Sequence, residues 1–175
     1  MSRADRTGVK HGVPPKVWLG VGLLALVGGV VILSARGPSD PEAQIRAAIE
    51  ASRQSAEAKK LGGVMEIVSE EFSSPPMTRR DLQQAVFIVL QRAGVVRVQV
   101  LDQEIDLGSD AEEADVRLTA LLARTAGDWT TLDPKDMSAY RFDVHMKRES
   151  AGWKVRQLQY QPAKVQDLLP RILNP

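Results

Sequence analysis

Residues 140–147 read Tyr-Arg-Phe-Asp-Val-His-Met-Lys, so apolar and polar side chains alternate at every step. Such alternation puts one set of side chains on each face of an extended strand. Tyr140, Phe142, Val144 and Met146 therefore share an inward face, while the polar residues between them face water. This pattern predicts a half-buried strand of an antiparallel sheet.

Three neighbouring segments carry the same signal. Residues 95–107 and 116–120 alternate before this strand, and Gly152 turns the chain into a last strand that runs to Gln161. In that last strand Trp153 and Val155 share one face, but Leu158 and Tyr160 have the opposite parity. The change predicts a β-bulge or a switch of exposure within the strand.

Helix signals fill residues 41–94, ahead of the strands. Asp40 is expected to cap the first helix, which is predicted to end at Gly62-Gly63. A short second helix follows, and the third begins at a capping box formed by Thr78 and Asp81. Helices first and strands afterward are typical of the α+β class.

Two short sequence motifs, together with this order of helices and strands, resemble those of a known protein superfamily. Residues 69–72, Ser-Glu-Glu-Phe, follow the paired helices, and residues 152–155, Gly-Trp-Lys-Val, open the last strand. With them, residues 41–161 resemble the nuclear transport factor 2-like superfamily, also called SnoaL-like or cystatin-like. The resemblance implies a cone in which three helices are wrapped by a curved antiparallel sheet, with a pocket at the open end.

Residues 17–35 contain no charged side chain, and as a helix they would span roughly 28 Å. They are therefore predicted to form a transmembrane helix, joined to the domain by a linker at residues 36–40. A cleaved signal peptide is the main alternative, although the cleavage site is poor. The residues expected to face lipid or the interface include Trp18, Leu23, Leu24, Leu26, Val30 and Ile32.

Charge on the two flanks sets the expected orientation. Residues 1–16 hold four basic side chains and one acidic one, whereas residues 36–50 hold two basic and three acidic. Because the positive flank stays inside, residues 1–16 are predicted to be a cytoplasmic stub and the domain to lie outside the cytoplasm, in a periplasm or beyond the cell. The layout is also similar, in architecture alone, to the periplasmic scaffold subunit of type IV secretion systems.

Composition argues against several classes of function. The 175-residue chain has no cysteine, only two histidines and a formal net charge of +1. Thiolate and histidine metal centres are therefore not expected, and neither a cofactor nor a nucleic-acid partner is predicted. His145 lies on the polar face and can be read either as a pH-sensitive interface group or as a solvated strand histidine.

Candidate chemistry comes from the resemblance. Its ketosteroid isomerase and limonene epoxide hydrolase branches use carboxylates, tyrosines or histidines in an apolar pocket. Tyr140 lies on the inward face, and Asp102 or Asp106 would approach the pocket if a bulge reorients the first strand. The alternative for Tyr140 is an ordinary core aromatic residue.

The tail, residues 162–175, is predicted to be a short amphipathic helix interrupted by Pro170. It either covers the domain's own core or docks on a partner or the membrane surface. The apolar residues of this possible interaction surface are Leu168, Leu169, Ile172 and Leu173.

Two functions remain open from the sequence. The first is a membrane-anchored module that binds partner proteins or a second copy of itself, for example by sheet-to-sheet pairing. The second is a small-molecule-binding or isomerase/hydrolase-type pocket. A concave cavity with a buried carboxylate would favour chemistry, whereas a pocket filled by Phe87, Phe142 and Trp153 would favour assembly.

Overall fold

The computed structural model describes residues 40–92 and 94–173, without the side chains of residues 92, 169 and 171–173. The predicted cytoplasmic stub and membrane helix, and residues 36–39 of the linker, lie outside these ranges. Within the described ranges, no helix combines the length and apolar character needed to cross a bilayer.

Three helices open the domain: α1 (Pro41–Glu57), α2 (Leu61–Met65) and α3 (Arg79–Phe87). The Asp40 carboxylate accepts a hydrogen bond from the Ala43 backbone N–H at 3.0 Å, which confirms the predicted cap of α1. The capping box of Thr78 and Asp81 at α3 is also confirmed. A π-helical turn (Ile88–Arg92) continues from α3.

The prediction that the first helix ends at Gly62-Gly63 was wrong, because α1 ends at Glu57. Gly62 and Gly63 do not end α1 but lie inside α2, which begins at Leu61. The helix forms there because Leu61 and Met65 both pack against the domain core, and this tertiary contact outweighs the helix-weakening effect of two glycines.

A curved four-stranded antiparallel sheet follows, with strands in sequence order. A two-stranded hairpin of β1 (Ser73–Ser74) and β2 (Met77–Thr78) lies between α2 and α3. The strands of the large sheet are β3 (Arg97–Leu107), β4 (Glu113–Ala123), β5 (Met137–Glu149) and β6 (Gly152–Ala163). The α+β class is therefore confirmed.

The first core lies between the helices and one face of this sheet, called here the inner face. Ile45 of α1 and Met146 of β5 are both fully buried in it. Register places Val116, Leu118 and Ala120 of β4 on the same face as Met146. The buried members of this core are Ile45, Met65, Val68, Phe72, Leu82, Ala114, Val116, Met146, Trp153 and Val155.

Two bulges change the parity of the edge strands. Opposite His145 and Met146 of β5 the pairing slips by one residue of β6, so Val155 and Leu158 both reach the inner face. The change of parity in the last strand is thus a bulge, as the sequence predicted. In β3 the pairing slips between Leu101 and Glu104, and Asp102 takes a φ of +52° within this bulge.

A second core lies on the opposite, outer face of the sheet. The helix α4 (Val165–Leu173) packs there through Val165 and Leu168. Its partners in the sheet are Leu121, Met137 and Ala139, whose parity is opposite to that of the inner face. The outer face of this end of the sheet is therefore covered.

Candidate functional site

Three aromatic rings form a cluster on the inner face, at the end of the sheet away from Met146. Tyr140 and Phe142 are neighbours on β5, and Tyr160 lies opposite Phe142 on β6. The ring centroids are 6.1–6.3 Å apart, a distance typical of attractive aromatic pairs. This aromatic cluster belongs to neither of the two cores.

Tyr160 is the exposed member of the aromatic cluster. Its side chain is 53% exposed, whereas Tyr140 and Phe142 are half-buried. A large amphipathic ring held at the surface by two other rings is the kind of side chain that anchors protein interfaces. The aromatic cluster is thus an apolar surface that includes an exposed ring on the edge strand β6.

A cleft of about 530 Å³ lies between α2, the Ser-Glu-Glu-Phe phrase and the β5–β6 hairpin. The buried Ser69 forms its floor, because the Ser69 hydroxyl donates to Glu149 Oε1 at 2.7 Å and accepts the Glu71 N–H at 3.0 Å. The residues that line this Ser69 cleft are Leu61, Gly62, Met65, Glu66, Val68, Ser69, Glu70, Arg79, Gln83, Glu149, Ala151 and Lys154.

Ion pairs fix the carboxylates around this cleft. Arg156 contacts Glu71 and lies 3.2 Å from Glu149, while Arg79 lies 2.9 Å from Glu70. The hydrogen bond from Arg156 holds the pKa of the Glu71 carboxyl below its usual range. The Glu71 carboxyl is therefore stabilised as an anion, and the Glu70 and Glu149 carboxylates are held in ion pairs.

The burial of polar side chains also argues against an isomerase-type site. The buried polar side chains of the described ranges are Ser69, Ser74 and Thr119, and none is a carboxylate. An isomerase-type site depends on a carboxyl whose pKa is raised by an apolar environment. The described part of the chain provides no buried carboxyl of this kind.

The predicted site residues do not come together. Asp102 and Asp106 are both exposed, and neither they nor Tyr140 line the Ser69 cleft. The first strand does contain a bulge, but this bulge leaves the Asp102 side chain at the surface. Tyr140 instead packs against two other aromatic rings.

The three aromatic residues named as possible pocket fillers are separated. Trp153 is buried in the first core, Phe142 belongs to the aromatic cluster, and Phe87 is 45% exposed at the end of α3. The contribution of Tyr160 was missed, because its alternation with three glutamines gave no sign that it faces two other rings.

The predicted tail surface is divided by the structure. Leu168 is 2% exposed and fills the second core, so it is not available to a partner. The tail therefore covers the domain's own sheet at this position. The side chains of Leu169, Ile172 and Leu173 lie outside the described residues.

The outer face beyond α4 is a charged surface. His145 Nδ1 lies 2.9 Å from Asp115 Oδ1, and Lys147 Nζ lies 3.4 Å from Glu113. Arg117 pairs with Glu104 at 3.3 Å across β3 and β4. Acidic and basic side chains thus alternate over this face, and the basic residues do not form a separate stripe.

A second cleft, of about 360 Å³, lies between α1 and the free edge of β3. Its side chains include two ion-paired carboxylates, those of Glu50 and Glu57, together with two glutamines and Trp129. The Arg97 guanidinium stacks on Trp129 at 4.7 Å. This second site, called here the edge cleft, was not predicted from the sequence.

Comparison with known proteins gives similarity in structure only. No protein-family model and no curated protein matches the chain. A nuclear transport factor 2-like protein of unknown function from Shewanella oneidensis superimposes with a TM-score of 0.54 at 14% identity, over 69% of this chain and 98% of that one. The domain has the nuclear transport factor 2-like fold.

Two further structures support the same fold. A ketosteroid isomerase-like protein from Erwinia carotovora atroseptica has a TM-score of 0.52 at 15% identity, over 71% of this chain and 98% of that one. Bd1075 from Bdellovibrio bacteriovorus has a TM-score of 0.51 at 11% identity, over 68% of this chain. The match spans 40% of the length of Bd1075. Identities this low carry information on fold and none on activity.

Proposed function

We propose that this chain is a protein-binding module held at the cytoplasmic membrane. Residues 17–35 form its single transmembrane helix, residues 1–16 remain in the cytoplasm, and residues 41–161 act on the far side. The charge-free stretch and the charge difference between its flanks support this placement. The module works by binding a partner and carries out no reaction of its own.

The aromatic cluster is the observation that carries this proposal. A tyrosine that is 53% exposed, backed by two half-buried rings, presents a preformed apolar contact with little side-chain entropy left to lose. In contrast, the carboxylates of the described ranges are exposed or ion-paired. Binding is therefore better supported than catalysis.

The charged outer face argues against one form of assembly. Sheet-to-sheet pairing through apolar strands would need an apolar outer face, but Glu113, Asp115, Arg117 and His145 occupy it and α4 covers the rest. Dimerisation through this face would bury several ion pairs at a desolvation cost. The partner is therefore expected on the inner face, at Tyr160.

Site-specific photocrosslinking tests the surface. A photoreactive phenylalanine analogue at position 160 of the full-length chain, expressed in its own host, is expected to give an adduct of one defined mass. The matched control places the analogue at Gln159, the next residue along β6, whose side chain points to the other face. Equal adducts at both positions, or none at 160, would contradict the proposal.

The cysteine-free sequence makes the placement directly testable. Ser109→Cys puts a thiol in the exposed β3–β4 turn, and Ser2→Cys puts one in the predicted cytoplasmic stub. A membrane-impermeant maleimide added to intact cells should label the first variant and not the second. Labelling of the stub alone would reverse the orientation, and labelling of neither would place both segments inside.

The Ser69 cleft supports a second candidate function. Its volume of about 530 Å³ lies within the range of small-molecule sites. A Cβ at Gly62 would meet no atom within 4 Å, so Gly62→Trp is expected to fill the cleft without disturbing α2. If the cleft takes an apolar ligand, the dye anilinonaphthalene sulfonate should bind the wild-type chain and Gly62→Ala but not Gly62→Trp.

A further inference from the structure

The edge cleft contains one strand position whose hydrogen bonds are already complete. Arg53 and Glu57 of α1 form an ion pair at 2.7 Å and together engage the backbone of Val98. Glu57 Oε1 accepts the Val98 N–H at 2.9 Å, and Arg53 Nη1 donates to the Val98 carbonyl at 3.3 Å. These two side chains replace the strand that would otherwise pair with β3 at Val98.

The next position with the same orientation, Val100, has no such cover. In an antiparallel ladder, the N–H and C=O groups of alternate residues point to the same side. Because the backbone of Val98 points away from β4, that of Val100 does too, and Val100 lines the edge cleft. Within residues 40–92 and 94–173, no side chain or neighbouring strand pairs with it on that side.

Two glutamines add further unpaired groups to the same cleft. Gln99 Oε1 and Gln103 Nε2 are buried, and neither has a hydrogen-bond partner in the described ranges. Both residues are partly exposed and line the cleft. Buried polar atoms without partners are destabilising, which makes two of them in one cleft unusual.

The chemistry of these groups defines what would fit. Val100 and the two glutamines offer amide donors and acceptors, and the formal charges of Glu50, Glu57, Arg53 and Arg97 cancel. The two carboxylates are already occupied by Arg53, so they hold no free charge for a cationic ligand. An uncharged chain of amides complements the cleft better than an ion does.

We propose that the edge cleft binds an extended, uncharged segment of a partner polypeptide, which adds as a short strand to β3 at Val100. The segment pairs its backbone with Val100 and its amides with Gln99 and Gln103. Strand addition of this kind takes most of its affinity from main-chain hydrogen bonds. This inference rests on the proposed protein-binding function and assigns it a second surface and a class of partner.

The structure also limits the length of the added strand. The ion pair of Arg53 and Glu57 closes β3 at Val98, and the bulge between Leu101 and Glu104 bends the strand after Val100. The added segment is therefore only a few residues long. The dissociation constant of a short isolated peptide is accordingly expected to be about 1 mM, since few hydrogen bonds form.

The test uses the full-length chain in detergent and a capped pentapeptide, acetyl-Thr-Val-Thr-Val-Thr-amide. Titration should give saturable NMR shifts at the Val100 backbone amide and at the side-chain amides of Gln99 and Gln103. The control ligand is the same peptide with its central backbone nitrogens methylated, which removes their N–H donors. It should bind about tenfold more weakly, because one or two hydrogen bonds are lost.

A pair of protein variants separates the cleft from the rest of the surface. Gln103→Leu and Gln103→Glu should each weaken binding by about tenfold, because both remove the amide donor at nearly constant size. Gln159→Leu, an exposed glutamine on β6, is the control and should bind as the wild type does. Two variants of Gln103 are used so that a folding defect in one does not decide the result.

The outcomes of the peptide titration can be distinguished from those of the crosslinking experiment at position 160. If position 160 crosslinks to a partner but the pentapeptide gives no saturable shift, the edge cleft inference is overturned and the proposed function stands. If the pentapeptide binds but position 160 does not crosslink, the cleft stands and the Tyr160 surface is lost. Equal affinity for N-methylacetamide, or shifts that grow with protein concentration alone, would overturn the added strand in favour of a small amide or a second copy.

Discussion

The Ser69 hydroxyl donates a hydrogen bond of 2.7 Å to Oε1 of Glu149, which lies 80 residues further along the chain. The backbone of the same segment pairs with β6, because the Ser69 N–H donates to the Val155 carbonyl at 3.0 Å and the Val155 N–H donates to the Ile67 carbonyl at 2.7 Å. Ser69 thus joins the helical half of the domain to the sheet. The Ser-Glu-Glu-Phe motif, on which the resemblance to the superfamily rests, therefore has a structural role in this chain, because it connects the helices to the sheet.

Replacing Ser69 with alanine should destabilise the domain by about 1–3 kcal/mol. The substitution removes one hydrogen bond to Glu149 Oε1, which keeps its ion pair with Arg156, and leaves the Glu71 N–H without its partner. Urea unfolding followed by circular dichroism measures the change. Ser73→Ala, at an exposed serine in β1, is the control and should cost less than about 0.5 kcal/mol; equal losses would show that the Ser69 bond contributes nothing.

Leu168→Ala should cost about 2–5 kcal/mol, because it leaves a cavity in the second core. Gln166→Ala on the exposed side of the same helix should change the unfolding free energy by less than about 0.5 kcal/mol. Thermal or urea unfolding decides between the two alternatives for the tail. A neutral Leu168→Ala would mean that α4 serves a partner or the membrane instead of its own sheet.

The two glycines of α2 should respond in opposite directions to alanine. A Cβ at Gly62 meets nothing within 4 Å, so Gly62→Ala is expected to stabilise the helix by about 1 kcal/mol. A Cβ at Gly63 would lie 2.9 Å from the Ser55 Cβ, so Gly63→Ala should destabilise the domain. Melting temperatures of the two variants give the comparison, and the same sign for both would contradict the packing of α2 on α1.

Acid should weaken the link between α1 and β3. Hydrogen bonds from Arg53 lower the pKa of the Glu50 carboxyl to about 2. A carboxyl with a lowered folded pKa adds stability above its unfolded pKa, and this stability is lost as the pH falls through the folded value. Glu50→Gln should therefore flatten the stability profile between about pH 5 and pH 2.

The size of this effect is limited by water. The Glu50 side chain is 50% exposed, so the loss at neutral pH should stay below about 1 kcal/mol. Glu42→Gln is the control, because it breaks a looser 3.7 Å ion pair with Arg46 on the same helix. Urea unfolding across this pH range separates the variants, and parallel profiles for Glu50→Gln and the wild type would exclude a role for the Arg53 contact.

Much of the fold follows from local signals. The caps at Asp40 and Thr78 and the alternation in β5 depend on residues within a few positions of one another, and the structure confirms them. The parity change in β6 correctly predicted its bulge. These features can be inferred from sequence because neighbouring residues determine them.

The parts that were missed depend on distant contacts. Residues 118–123 are almost continuously apolar, a signal of burial on both faces that would have predicted cover on the outer face. The position of α4 on Leu121 and Ala139 is the consequence. The hydrogen bond between the Val98 N–H and the Glu57 carboxylate joins residues 41 positions apart, and no local pattern indicates it. The edge cleft could therefore not be predicted from the sequence.

The position of α4 on the outer face also sets an order for biogenesis. Leu121, Met137 and Ala139 leave water on that side only when Val165 and Leu168 arrive. A ribosome must therefore synthesise the chain through residue 168 before this end of the sheet is sealed. Until then the nascent chain exposes an apolar strand surface, which a chaperone would be expected to shield.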